Sequence, residues 1–374
     1  MNNKKTHGSF IEYNNFNSCK TFGLQKHGNI LSLDKVNAIY IKKSSEEYKG
    51  LQYYVGECIT ERFNIEFNEL ILSWQAHAPA NTWIEFYVRP YLDGIDEKWN
   101  KWYSLGLWSE SNSPFPRRSF GKQIDSIGEV DIDTLILKTI GKSFQIMIRL
   151  CSLDQSITPV LFSLCASAII RNSNNFNESN TIIKNSKYLN VPPLSQLKYL
   201  AGELLCSPTS LSMVLNYWYK KTGEEKYRKG VHQITKGVWD KATNRAGNWS
   251  FNTAYVASLG LEAKLIRLSS MSYIQKLLDL DIPCIISIAY QKGELLDAPL
   301  ESTTGHLIVV NGYSGSSIIH ANDPAAVFNR VQRQYNCAQL ESAWLNGSGG
   351  LTYLIYPKQD YLNLIDLLFY ERNI

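Results

Sequence analysis

Between about Asn29 and Ile170 the chain alternates apolar and polar residues over short runs. Ile84, Phe86 and Val88 interleave with Glu85, Tyr87 and Arg89, and Phe144, Ile146, Ile148 and Leu150 interleave with Gln145 and Arg149. A period of two sends successive side chains to opposite faces, so each run predicts a strand with one face buried. Turn residues such as Asp93-Gly94 and Ser113-Pro114 separate the runs, and long helical periodicity is scarce. This pattern predicts an antiparallel β-sandwich over residues 1–175. From Arg171 to Lys187 the chain turns polar and rich in Asn and Ser, and residues 176–187 read as a linker.

Over residues 188–374 the pattern changes. Leu211, Val214, Leu215 and Trp218 fall at i, i+3, i+4 and i+7, one apolar face of a helix. Ser207 is placed to cap that helix and Pro208 suits its first turn. A second helix is expected from about Phe251 to Leu259, closed by Gly260 as a left-handed cap, and a third from near Ser270 to before Pro283. Cys284 to Ala289, Leu307 to Val310 and Leu351 to Tyr356 read as buried strands. The fold class expected for the whole chain is therefore α+β: a sandwich, then a helical lobe followed by an antiparallel sheet.

Composition narrows the function classes. At 374 residues, with 44% hydrophobic and 19% charged, the chain exceeds what one core usually serves, so two domains are expected. Lys plus Arg number 38 against 34 Asp plus Glu, and basic residues never run beyond pairs such as Lys42-Lys43, Arg117-Arg118 and Lys220-Lys221, which argues against a nucleic-acid partner. The seven cysteines are scattered without C-x-x-C spacing, which argues against disulfides and structural zinc. His7, His27, His77 and His232 have no neighbours that suggest ligation, so neither a metal nor a cofactor is expected. No apolar run reaches membrane-spanning length, and the start from Met1 to Phe10 shows no secretory signal. The expected location is cytoplasmic, or outside the cell by a route the sequence does not display.

One constellation carries chemistry. Cys206 stands immediately before a predicted helix start, where free backbone N–H groups and the helix dipole favour a thiolate. Taken alone, a cysteine beside Leu204 and Leu205 reads as a packing residue, as Cys284 does in its apolar strand, so the neighbours must decide. His306 opens the strand Leu307 to Val310, and Ser317 to His320 runs back toward Asp323. If Ser314 and Gly315 are the central residues of a two-residue turn, Tyr313 pairs with Ser316 and the register places His306 opposite Asp323. A carboxylate beside an imidazole fixes its tautomer and leaves the other ring nitrogen to exchange a proton with a thiol. Asp323 before Pro324 also suits a plain turn, and His320 is a competing base that lies beyond the direct partner of Asp323. For the oxyanion, the backbone N–H of Cys206 is one donor and the amide of Gln196 a second, although Gln196 reads equally as a polar loop residue without a role.

Together these segments resemble the C-39-like cysteine peptidases of bacteria, relatives of the papain fold. The matching residues are Val191-Pro192 with Ser195-Gln196, Cys206-Ser207-Pro208-Thr209-Ser210 running into Val214-Leu215-Asn216-Tyr217-Trp218, and Gly247-Asn248-Trp249 with Phe251-Asn252-Thr253-Ala254. Gly305-His306-Leu307, Val309-Val310, Gly312-Tyr313 and Asn322-Asp323-Pro324-Ala325 complete the set, which spans roughly Tyr188 to Pro357. The resemblance implies Cys206 as nucleophile, His306 as base, Asp323 as its orienter and Gln196 as oxyanion donor, acting on a peptide or protein substrate. Leu205 stands where similar proteins carry an aromatic residue. The chain has no G-x-x-x-x-G-K-[ST] loop, so the transporter-fused leader peptidases lend it no substrate.

The expected activity is thus hydrolysis of a peptide or related amide through a thioester. An amidase, isopeptidase or acyl transferase would use the same triad, and a non-catalytic glycan- or peptide-binding protein is the alternative from another class. In the N-terminal half, Trp74, Trp83, Trp99, Trp102 and Trp108, with Tyr87, Tyr91 and Tyr103, are the residues of a platform for sugar rings or peptide side chains. They are equally the residues that fill or edge a sandwich core, and that reading is favoured. The oligomeric state is not legible.

Overall fold

The computed structural model describes residues 4–7, 10–42, 52–94, 101–111, 115–171 and 185–358. Trp99, the Ser113-Pro114 turn and the stretch 172–184 of the polar segment lie outside the described residues. The chain divides into two compact units, residues 1–171 with 239–254 and residues 172–238 with 255–374.

The first unit is built from two antiparallel sheets. In one, Phe67–His77 runs between Thr134–Gly141 and Val160–Ile169; in the other, Ser143–Ser152 runs between Gln52–Ile59 and Thr82–Tyr91. Their inner faces meet as a sandwich: the Trp74 ring stacks on Phe86 at 3.9 Å and Phe67 sets its edge to Phe144 at 5.2 Å. The alternation in Thr82–Tyr91 puts Ile84, Phe86 and Val88 in this core. Its other face departs from the expected solvated one. Trp83 is buried under Phe115, with ring centroids 4.2 Å apart, and Glu85 is buried beside it, accepting from Trp83 Nε1 at 2.9 Å and the Tyr87 hydroxyl at 2.6 Å. Of the aromatic residues expected to stack on ligands or fill the core, Trp74, Trp83, Trp108, Tyr91 and Tyr103 are buried. Trp102 is half-buried beneath the Arg89 guanidinium at 4.6 Å, and Tyr87 is half-buried as well.

The segment 239–254 completes this unit. Asp240, fully buried, accepts from the backbone N–H of Ser119 at 3.0 Å. Asp133, in the two-residue turn between Gly128–Asp131 and Thr134–Gly141, accepts the N–H groups of Trp249 and Ser250 at 2.5 and 3.1 Å. It therefore caps a helix that starts more than a hundred residues later in the chain. Phe251 then meets Trp108 at 5.9 Å and Trp74 at 6.3 Å. Burial pushes the Asp133 carboxyl up to about 7 in spite of its donors.

The second unit opens with helices and then interleaves two more with the strands of a sheet, where the pattern predicted helices followed by strands. The helices are α1 (Cys206–Thr222), α2 (Val231–Val238), α3 (Trp249–Ser258, whose start belongs to the first unit), α4 (Met271–Asp279) and α5 (Cys337–Ser348). The antiparallel sheet runs Glu262–Arg267, Leu351–Tyr356, Cys284–Tyr290, Thr303–Ser314, Ile318–Asn322, Gln332–Asn336, and Ser186–Tyr188 adds to the end of Thr303–Ser314. α1 begins at Cys206 with Leu205 in the cap position, because the Leu205 carbonyl already accepts the N–H of Thr209 at 3.0 Å. Ser207 is therefore inside the helix rather than its cap, with its hydroxyl 3.4 Å from that of Tyr353. The expected single apolar face is also too narrow: α1 is buried on every side from Ser207 to Leu215. Its small hydroxyls find partners inside, Ser210 Oγ donating to the Leu307 carbonyl at 3.1 Å and Ser212 Oγ to that of Lys229 at 2.8 Å.

Candidate active site

The expected hairpin forms, with a different turn and register. Three residues, Gly315 to Ser317, connect the strands, and Tyr313 pairs with Ile319 rather than Ser316. A bulge between Val310 and Gly312 then shifts the register by one residue, so Val309 faces Asn322. His306 thus lies diagonal to Asp323 instead of opposite it. The side chains still meet, because residues two apart share a face of the strand: His306 Nε2 donates to Asp323 Oδ1 at 2.7 Å, both groups buried.

Asp323 is gripped from several sides. Oδ1 also accepts the backbone N–H of Ala325 at 2.9 Å, and Oδ2 accepts the Tyr335 hydroxyl at 2.8 Å. Burial works against the carboxylate, but the charge and hydrogen bond of His306, with Tyr335 and Ala325, hold it below the ordinary range. Tyr335 escaped the sequence reading. It sits in Gln332–Asn336, a strand so polar that alternation does not reveal it.

Cys206, half-buried, occupies the first residue of α1, and His306 keeps its second ring nitrogen, Nδ1, clear of Asp323. Burial would raise its thiol; the hydrogen bond and charge of His306, with the backbone N–H groups of Leu307 and Ser207, outweigh that and lower it below the ordinary thiol value. His306 moves the other way. Burial disfavours its cation, yet Asp323 and then Cys206 raise it to about 10.

Gln196 is anchored beside this group by its backbone N–H, which donates to the Pro324 carbonyl at 2.8 Å, while the preceding Ser195 Oγ donates to that of Ala326 at 2.6 Å. Among the described residues its side-chain oxygen, Oε1, is buried without a partner. The loop between Gln196 and Cys206 folds back tightly: a Cβ on Gly202 would stand 2.1 Å from the Gln196 carbonyl oxygen. His320 goes elsewhere, its Nε2 2.8 Å from Ser314 Oγ. Cys284 is buried in its strand and its thiol is raised by desolvation, as a packing residue's would be. Among the described residues no cluster of three or more His, Cys, Asp or Glu could hold a metal ion, and no helix is long and apolar enough to cross a membrane.

A helix that starts at Cys206, laid on an antiparallel sheet that brings His306 to Asp323 and preceded in the chain by a β-sandwich, is the arrangement to set beside known families. Residues 188–350 match the Peptidase_C39 like family and residues 6–168 match the Peptidase C39 N-terminal domain. The stretch 188–350 is thus C39-like, and the stretch 6–168 is of the C39 N-terminal type. Among solved structures, a candidate C39-like peptidase from Bacillus anthracis is 16% identical with a TM-score of 0.33, over 46% of this chain and 97% of its own. The CBM22-1 and GH10 modules of Clostridium thermocellum endo-1,4-β-D-xylanase 10B, complexed with xylohexaose, align at 10% identity and TM-score 0.19, over 49% of this chain and 31% of theirs. A carbohydrate-binding module of the β-sandwich superfamily aligns at 12% identity and TM-score 0.16, over 44% of this chain and 57% of its own. These likenesses are too distant to carry an argument about ligand or substrate. The comparison with curated proteins gave no match.

Proposed function

We propose that the protein hydrolyses a peptide or protein substrate with Cys206 as nucleophile, His306 as general base and acid, Asp323 as the residue that orients His306, and Gln196 as an oxyanion donor. The observation that carries this reading is the buried 2.7 Å contact between His306 Nε2 and Asp323 Oδ1, which leaves the other imidazole nitrogen for a half-buried thiol at a helix start. The thiolate attacks the scissile carbonyl carbon, and the carbonyl π electrons move onto oxygen. The backbone N–H of Cys206, which has no acceptor inside its own helix, and the side-chain amide nitrogen of Gln196 receive that charge. Collapse breaks the C–N bond, the imidazolium gives its proton to the leaving amine, and a thioester remains on Cys206. Water, deprotonated by His306, attacks the thioester and returns the thiol.

The test is iodoacetamide labelling across pH, read by peptide mapping, together with turnover of a mixed peptide substrate, in the native protein and in His306→Ala. Cys337 is an internal control, being half-buried with its thiol raised to about 11 by burial and Glu341. The expected result is labelling of Cys206 that persists well below the ordinary thiol pKa of about 8.5 and is lost with His306, alongside cleavage lost in Cys206→Ser. Labelling of Cys206 no faster than Cys337 would sink the proposal. Products formed with added amines distinguish hydrolysis from acyl transfer.

A further inference from the structure

Two cysteines of the first unit meet although the sequence sets them far apart. Cys19 follows a short 3-10 turn, Phe16–Ser18, and runs in extended backbone (φ −69°, ψ 144°) into the strand Lys20–Phe22. That strand lies at the end of its sheet and pairs with Gln52–Ile59, Lys20 facing Ile59 and Thr21 facing Cys58. Extended backbone sends Cys19 and Thr21 to one face, so Cys19 stands diagonal to Cys58 on that face. Both are buried free thiols, 6% and 0% exposed, within hydrogen-bonding reach of each other.

The two sulfurs have different surroundings. The Tyr13 hydroxyl, from the other sheet, stands 3.1 Å from Cys19 Sγ and 2.9 Å from Ser18 Oγ. Lys26 Nζ donates to the Cys19 carbonyl at 2.9 Å, which sets an ammonium beside this thiol. The hydrogen bond from Cys58 holds the Cys19 thiol below its ordinary value; burial opposes, and Tyr13 and the Lys26 charge add to the lowering. Cys58 moves the other way, raised by its bond to Cys19 and by burial. Cys19 is therefore the sulfur suited to carry a thiolate and Cys58 the one that keeps its proton. A packing cysteine needs neither a hydroxyl nor a cation, and Cys284, on whose thiol burial alone acts, is the contrast within this chain.

We propose that Cys19 and Cys58 are a latent disulfide at the edge of the sandwich, closed by a peroxide, reopened by a dithiol and independent of Cys206. The Cys19 thiolate attacks one oxygen of hydrogen peroxide: the S–O bond forms, the O–O bond breaks, and the leaving hydroxide takes up the proton that Cys19 released, giving water. The Cys58 sulfur then attacks the sulfenic sulfur of Cys19: the S–S bond forms, the S–O bond breaks, and hydroxide departs as water with the Cys58 proton. Two thiols give up two electrons and two protons, and one peroxide becomes two waters. The bridge adds a covalent link to the three residue pairs that join Lys20–Phe22 to Gln52–Ile59. Cysteine spacing in the sequence does not announce it, because strand register brings the sulfurs together.

Non-reducing peptide mapping of the full chain after treatment with hydrogen peroxide, the remaining thiols blocked by N-ethylmaleimide, tests this. The expected result is a peptide pair joining Cys19 to Cys58, two hydrogens lighter than the free peptides, formed in Cys206→Ser as in the native chain and removed by dithiothreitol. In Cys58→Ser the sulfenic acid should persist at Cys19 and be trapped by dimedone. In urea the link should form about tenfold or more slowly, since the fold supplies the proximity. Three results overturn the proposal: no link between Cys19 and Cys58 at any peroxide concentration that leaves the chain folded, a link that forms as fast in urea, or pairing of either cysteine with a third. The native chain decides the question should Cys58→Ser fold poorly.

Discussion

Tyr335 is the side chain whose removal would separate positioning from chemistry in the proposed triad. Its hydroxyl donates to the carboxylate, on the oxygen that His306 does not use. Tyr335→Phe deletes one hydrogen bond to a buried charge, at a cost of about 1.5–3 kcal/mol. The expected outcome is a lower denaturation midpoint and a reduced kcat with KM retained, measured by urea melts and peptide turnover. Gln196→Ala, by contrast, should lower kcat by about 10²–10³-fold and leave the labelling rate of Cys206 unchanged, since oxyanion donors act after the thiolate exists. The pH profile follows from the shifts. Activity needs the thiolate and the imidazolium together, so it is present above the lowered pKa of Cys206 and falls as pH rises through about 10, where His306 loses its proton. A kcat/KM profile whose alkaline limb falls near 7 would contradict the pairing. At this scale the place of Cys206 at a helix start and of His306 beside Asp323 was legible because each stands by a local signal: a helix start, a strand start and an Asp-Pro turn. Tyr335 was not, because its partner is set by tertiary register and no neighbouring residue announces it.

Among the elements, α1 and the hairpin divide the work. Burial of α1 on every side from Ser207 to Leu215 locks Cys206 in place, and Ser210 ties the helix to the residue after His306 through the Leu307 carbonyl. Ser210→Ala should cost about 0.5–1.5 kcal/mol in a thermal or urea melt and slow turnover more than it alters substrate affinity. The hairpin explains why a correct pairing of side chains survived an incorrect register. Residue types limit a turn without fixing its length, and the bulge at Val310 and Gly312 leaves no mark in the hydrophobic alternation. The strands Cys284–Tyr290 and Leu351–Tyr356 were readable as apolar runs. Gln332–Asn336 is nearly all polar, and Glu262–Arg267 buries an ion pair, Lys264 with Glu262 at 3.2 Å, that reads in sequence as a solvated stretch. α2 is a short helix of eight residues, too brief for periodicity to speak.

For the molecule as a whole, the formal net charge of +4 with interspersed signs gives no field that would draw a polyanion. The division into units is more telling. The segment 239–254 falls inside the stretch that matches the peptidase family, yet it packs with the sandwich, through Asp133 at the start of α3 and Phe251 against Trp74 and Trp108. Asp133→Ala removes a helix cap and should destabilise the chain by about 0.5–2 kcal/mol, seen as a lower denaturation midpoint. A chain cut to begin at residue 188 should lose much more, exposing Phe251 and the unpartnered start of α3, and its melting should broaden or vanish by calorimetry.

That segment also bears on how such a protein can be rebuilt or diversified. Family boundaries written along the sequence suggest two interchangeable modules joined by a polar tether, but the first module recruits a piece of the second to finish its own core. Exchanging one sandwich for another at the tether would therefore graft a foreign surface onto residues chosen for Trp74, Trp108 and Asp133. A functional chimera has to carry residues 239–254 with the sandwich they belong to, so inheritance of the two halves is coupled at a place that neither boundary marks.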